Sequence, residues 1–166
     1  MPIDTTTSTV AAPATFITGF AKTLCVDIDA DRFADRLGTT INHPAFILGH
    51  VAYYAGYCVH LLGGEINLTE EEAELYQHGA ECVDCTDRYL PKEAAIIHFE
   101  SRMQLAANYV AQCSPDVLSK SAKETPFASR FDTLEQVAAF MLIGHPMFHC
   151  GQISAWRRVA GMPPAG

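Results

Sequence analysis

Two segments of this 166-residue chain carry an apolar stripe at helical spacing, and histidine interrupts both stripes. In the first, taking Phe46 as zero and about 100° per residue, Tyr57, Leu61, Tyr54, Ile47 and Cys58 fall within an arc of about 120°. His50 lies inside that arc, at about 40°. In the second, measured from Leu134, the arc of Ala138, Met141, Leu142 and Trp156 also holds Gln152 at about 0°, His145 at about 20° and His149 at about 60°. A chain with this pattern folds as helices whose inner faces contain imidazoles.

Burying a polar group without a partner costs a few kcal/mol. Three imidazoles and an amide on two oily faces therefore call for a shared partner. His145 and His149 are i,i+4 neighbours, about 5–6 Å apart at Cβ, so both rings can turn toward one ion. His50 from a neighbouring helix would complete a facial three-histidine set, which leaves coordination positions open for water or substrate. The alternative, a core histidine bonded to a main-chain carbonyl in each case, stays open at this point. Pro146 follows His145 where an H-E-x-x-H metalloprotease carries its glutamate base, which disfavours a peptidase. Lacking an N–H, Pro146 also frees the carbonyl of Leu142 and predicts a bend between the two histidines.

The rest of the chain reads as all-helical, with no alternating strand pattern and no repeat. A polar lead over 1–9 precedes a single domain over 10–163. Helices are expected over about 10–24, from Asn42 as cap to Gly63-Gly64, in a short acidic stretch over 69–74, over about 92–113, and from a capping spacing at Asp132–Glu135 to Gly161. With 49% hydrophobic and 18% charged residues, the chain has enough apolar surface to exclude a disordered polymer. The net charge of -8 and a lone adjacent basic pair, Arg157-Arg158, argue against nucleic acid and against a polybasic membrane anchor. No run approaches the roughly 18 apolar residues of a membrane span, and the N-terminus lacks the basic region of a signal peptide. The six cysteines read as reduced, core-filling thiols of a cytoplasmic protein, with a secreted, disulfide-bonded chain as the alternative.

Asn42-His-Pro-Ala-Phe-Ile-Leu-Gly-His50 and Gly144-His-Pro-Met-Phe-His-Cys-Gly-Gln152, the latter running on to Arg157-Arg158, Gly161 and Pro163, resemble the two histidine segments of the DinB-like superfamily. The stretches Gly79–Asp84 and Tyr89–Glu93 are similar to the link before that family's third helix. The resemblance spans about residues 10–163. It implies an up-up-down-down four-helix bundle with long connections, often a homodimer, that holds a divalent metal, zinc or nickel, on His50, His145 and His149. It implies no DNA binding. Relatives include thiol S-transferases using bacillithiol, a mycothiol-dependent isomerase and metal-dependent hydrolases, so a low-molecular-weight thiol and a small-molecule substrate are the expected partners.

A metal on three neutral imidazoles keeps its full positive charge. It can bring bound water to a pKa of about 7 for hydrolysis, or deprotonate a bound thiol for attack on an electrophile. Glu100, at the inner edge of the third helix, is the candidate base or ligand-orienting carboxylate, against a plain solvated reading. Tyr54, Tyr57, Gln152 and His43 are candidates for the substrate pocket, His43 lying too far along its helix from His50 to share the ion. Arg157 and Arg158 are weighed as a carboxylate clamp or as neutralisers of a helix C-terminus. His78, Cys82 and Cys85, at i,i+4,i+7, form a rival zinc set if that stretch is helical. A non-catalytic, ligand-binding homodimeric bundle is the competing class of function.

Overall fold

The computed structural model describes residues 5–84 and 86–165, and these are all-helical apart from one isolated antiparallel bridge between Ser121 and Thr133. The first helix, α1 (Thr5–Cys25), begins within the expected polar lead and runs through Pro13 without ending. Thr15 and Thr18 continue it by donating their hydroxyls to the carbonyls of Ala11 and Ala14, at 3.0 and 2.8 Å. Val10, Ala14, Ile17, Ala21 and Leu24 recur at three- and four-residue steps and are buried.

The second helix, α2 (Pro44–Leu61), starts one residue later than an Asn42 cap implies, and its cap is His43 instead of Asn42. The Nδ1 atom of His43 accepts from the Phe46 N–H at 3.1 Å, and its Nε2 stands 3.0 Å from the carbonyl oxygen of Val83. Both ring nitrogens are thus used by the neutral Nε2–H tautomer, one accepting and one donating. His43 has no exposed surface and packs edge-on to Tyr89. It is a cap within the core and not a pocket residue, which corrects the sequence expectation. A polar ring that satisfies a helix start needs no ligand to justify its burial.

Burial pushes the His43 pKa below its ordinary value. The Val83 carbonyl and the Asp84 charge oppose that shift, while the Arg36 charge reinforces it. The folded chain therefore binds fewer protons here than the unfolded chain, and this contribution to stability, whole above about pH 6.5, is lost as pH falls. His43→Asn should keep the cap but orphan Val83, at a cost of about 1–3 kcal/mol near neutrality. In denaturant melts the gap to wild type should narrow in acid; a constant gap from pH 7.5 to 5 contradicts the assignment.

Residues 44–52 of α2 are buried without interruption, so this helix is wrapped on all sides and is not merely striped. It ends at Gly63, whose φ of 87° is the left-handed stop, with the Gly64 N–H bonding the Val59 carbonyl at 2.9 Å. The helix α3 (Glu70–Tyr76) opens on a capping box between Thr69 and Glu72. The helix α4 (Lys92–Gln112) packs against both α1 and α2. Arg102 of α4 fastens α3 through Glu72 at 3.2 Å and the Asn67 carbonyl at 2.9 Å.

After the short α5 (Pro115–Leu118), residues 119–133 form a loop closed at its base by the Leu134 N–H on the Lys120 carbonyl. The helix α6 (Leu134–Ala139) is capped by Thr133 onto the Gln136 N–H, one residue along from the expected Asp132–Glu135 spacing. A wide π-helical turn over Phe140–Gly144 then leads into α7 (His145–Val159), which contacts α1 and α2. The irregularity foreseen at Pro146 exists, but it lies before His145 and not between the two histidines. The missing Pro146 N–H falls in the first turn of α7, where no i−4 bond is needed.

Arg157 of α7 is buried. Its guanidinium donates to the Leu24 carbonyl at 2.9 Å and the Pro163 carbonyl at 3.0 Å, and it pairs with Asp27, whose carboxyl it holds below the usual range. Arg158 donates to Ser154 on its own helix. Neither is a substrate clamp: the first ties the end of α1 to the C-terminal turn, and the second is spent locally. No helix among the described residues is long and apolar enough to cross a membrane.

Candidate metal centre

The buried half of α2 carries His50 inward, and the first two turns of α7 carry His145 and His149 on one face. Their ligand atoms all lie within 4.8 Å of one another. His145 Nε2 stands 3.0 Å from His50 Nε2 and 3.0 Å from His149 Nε2. Two nitrogens held about 2.1 Å from one ion sit roughly 3.0 to 3.4 Å apart between octahedral and tetrahedral angles. The observed separations match that range, and the three histidines are close enough to bind one metal ion.

The outer nitrogens decide which atoms face inward. His50 Nδ1 lies 2.6 Å from the main-chain oxygen of Tyr76, a pure acceptor, so this nitrogen carries the proton. His149 Nδ1 lies 2.9 Å from Gln152 Oε1 and is a donor for the same reason. Both rings therefore present a bare Nε2 lone pair to His145. A proton on His145 Nε2 can be given fully to only one of them. A proton on His145 Nδ1 leaves three lone pairs converging and a buried N–H, for Nδ1 has no partner among the described residues. Every proton assignment leaves a buried polar atom unmet, and a cation at the focus of the three Nε2 atoms answers the convergent lone pairs.

Electrostatics supports neutral ligands. Burial pushes the His50 pKa down to about 4 and that of His145 to about 3, with the neighbouring imidazoles adding repulsion. Burial lowers His149 as well, partly offset by Gln152. Neutral imidazole is the form that ligates.

Two cavities, of about 430 and 460 Å³, open onto the centre and share His50, Gln77, His78, Phe140 and His145 in their walls. The smaller is walled by the Tyr53–Tyr54–Tyr57 tier of α2, and facing it are Phe127 and Arg130 from the 119–133 loop. Tyr54 Oη accepts from the His78 N–H at 3.0 Å, and burial raises its pKa, so the phenol hydrogen stays on and is free to donate. Among the described residues no carboxylate lines either cavity.

Of the residues singled out in the sequence, His50, His145 and His149 converge, Tyr54 and Tyr57 wall the cavity, and Gln152 stands behind His149 without reaching the cavity. Glu100 is elsewhere. It pairs with Lys22 of α1 at 3.0 Å and lines neither cavity, so it is no base for this centre. A face angle measured along one helix cannot tell which neighbour that face meets.

The rival His78, Cys82 and Cys85 set rests on a helix that does not form, since residues 77–84 are irregular. Cys82 is buried while His78 is exposed, and Cys85 lies outside the described residues. The cysteines among the described residues are free, and burial pushes the Cys25 and Cys58 thiols up to about 12. Cys25, Cys58, Cys82 and Cys150 are buried and fill the core as inert thiols. His78 enters as a cavity wall and not as a ligand of that rival set. Phe127, Arg130 and Phe140 are wall residues that the sequence reading does not single out, and the first two come from a loop that carries no periodic signal.

Protein-family models, curated proteins and solved structures were compared with the chain, and none matches.

Proposed function

We propose that this chain is a divalent-metal-dependent enzyme of the DinB-like type, with zinc or nickel on His50, His145 and His149, acting as a thiol S-transferase. The observation that carries the proposal is the convergence of three Nε2 atoms whose proton assignments are frustrated without a cation. The likeness of the two histidine segments to the DinB-like pattern supports it, as does the packing of α1, α2, α4 and α7 about a common core. A divalent ion held there supplies Lewis acidity at its remaining positions, enough to ionise a thiol at neutral pH.

The chain's own residues do the rest. Tyr76 and Gln152 hold the ligand rings in the tautomer that points Nε2 inward. The tyrosine tier and Phe140 exclude water along the wall, and Tyr54 offers a hydroxyl proton to negative charge that develops on an electrophile. His78, present in both cavity walls, is the imidazole placed to accept a proton. The thiol S-transferases among the DinB-like relatives favour thiol transfer over hydrolysis, which the same cation would also support by acidifying bound water.

Metal analysis of the purified protein tests the proposal. About one divalent ion per wild-type chain is expected, with none in His149→Ala and thiol-transfer activity lost with it. Activity that persists in the metal-free variant defeats the proposal. Metal retained with no transfer of any thiol to an electrophile panel gives the non-catalytic binding bundle.

A further inference from the structure

The chain is acidic in balance, with 19 Asp and Glu against 11 Lys and Arg, yet the described walls of both cavities hold no carboxylate. The cavity beside the tyrosine tier instead contains Arg130. Among the described residues the Arg130 side chain forms no ion pair and no hydrogen bond, unlike Arg102 and Arg157, which are both engaged. It is nonetheless not on a free strand of loop. Its main-chain N–H bonds the Phe127 carbonyl at 2.9 Å, and the adjoining Phe131 packs at a tilt against Phe127 and Phe140 with ring centres 6.5 and 5.3 Å apart. The Ser121–Thr133 bridge closes the loop behind it. The exposed guanidinium, with its donors unspent, thus stands at the wall of the cavity that reaches His50 and His145.

We propose that Arg130 reads an anionic group on the substrate, so that this cavity takes a small organic acid with an apolar body. The acid group lies on Arg130, the body lies against Tyr53, Tyr57 and Phe127, and the donor end faces the histidines. This deepens the metal-dependent reading above and rests on it. A guanidinium offers paired N–H donors to carboxylate, sulfonate or phosphate alike, and the shared requirement is a planar or tetrahedral oxyanion. No carboxylate among the described wall residues competes for it. A neutral thiol of the same shape would reach the histidines but leave Arg130 to water.

Calorimetric titration of the zinc-loaded protein with para-carboxybenzyl thiol and para-methylbenzyl thiol tests this. Wild type should bind the carboxylate about tenfold more tightly, a hydrogen bond to a charged group setting the scale. Arg130→Gln should bring the two probes to parity by weakening the acid alone, with zinc content unchanged, and Arg130→Lys should keep part of the preference. Equal affinities in wild type, failure of both probes to bind, or a preference that survives Arg130→Gln overturns the role of Arg130 while leaving the metal centre standing. Failure of the wild-type chain to take up zinc overturns the metal reading itself.

Discussion

Replacing His145 by phenylalanine should leave the metal-free protein at least as stable as wild type, while abolishing the stabilisation that zinc confers. The ring sits among Tyr54 and Phe140, with centres 5.2 and 5.7 Å away, so an aromatic of similar size fits the space. What the substitution removes is a buried, unpartnered Nδ1 and an Nε2 facing two other nitrogens at 3.0 Å. An unmet buried polar atom costs about 1–3 kcal/mol, and that penalty disappears with the imidazole. On the other side of the balance, zinc at about a thousand times its dissociation constant stabilises the folded state by roughly 4 kcal/mol. For a chain of this size that is about 10 °C in melting temperature. Thermal melts in chelator and in excess zinc read both effects. A variant that melts far below wild type in chelator would show that His145 is a structural core residue, and an equal zinc shift in both proteins would place the ion elsewhere.

The second large effect is expected from a residue with no side chain. A Cβ built on Gly49 would lie 2.1 Å from Cε1 of Tyr76 and 2.3 Å from its Cζ, far inside contact distance. Tyr76 is buried, and its main-chain oxygen fixes the His50 ring from the other side. Gly49→Ala must displace the tyrosine, and the carbonyl moves with it. A loss of about 1–3 kcal/mol is expected from the overpacking, together with a tenfold to hundredfold fall in zinc affinity from the loosened ligand. Adding Tyr76→Leu to Gly49→Ala should recover most of the zinc affinity, because the ring is gone and the carbonyl remains. Zinc affinity unchanged in Gly49→Ala, measured by competition with a chromogenic chelator, counts against the Tyr76 carbonyl as the anchor of His50.

Both variants expose the same design. The centre is assembled from groups that each have a reason to be where they are. Tyr76 is carried by a helix whose capping box is local, and Gln152 is one turn from His149 on α7. His50 occupies the most deeply wrapped stretch of the chain. The arrangement is expensive in the metal-free fold, as sites built for a ligand commonly are.

Helix formation, termination at Gly63 and Gly161, the short acidic helix after Thr69 and the inward placement of His50, His145 and His149 all follow from local spacings, which is the range over which a helix communicates with itself. The same reasoning misplaced the cap at Asn42 and the edge residue Glu100, because a cap depends on what a ring can reach across the chain, here Val83 for His43, and an edge on which helix lies opposite, here Lys22 of α1. That His50 meets a pair of histidines some ninety-five positions away, with the Tyr76 carbonyl behind it, rests on packing between segments. Periodicity records only that a side chain points inward; the energy of close packing among α1, α2, α4 and α7 selects what it finds there.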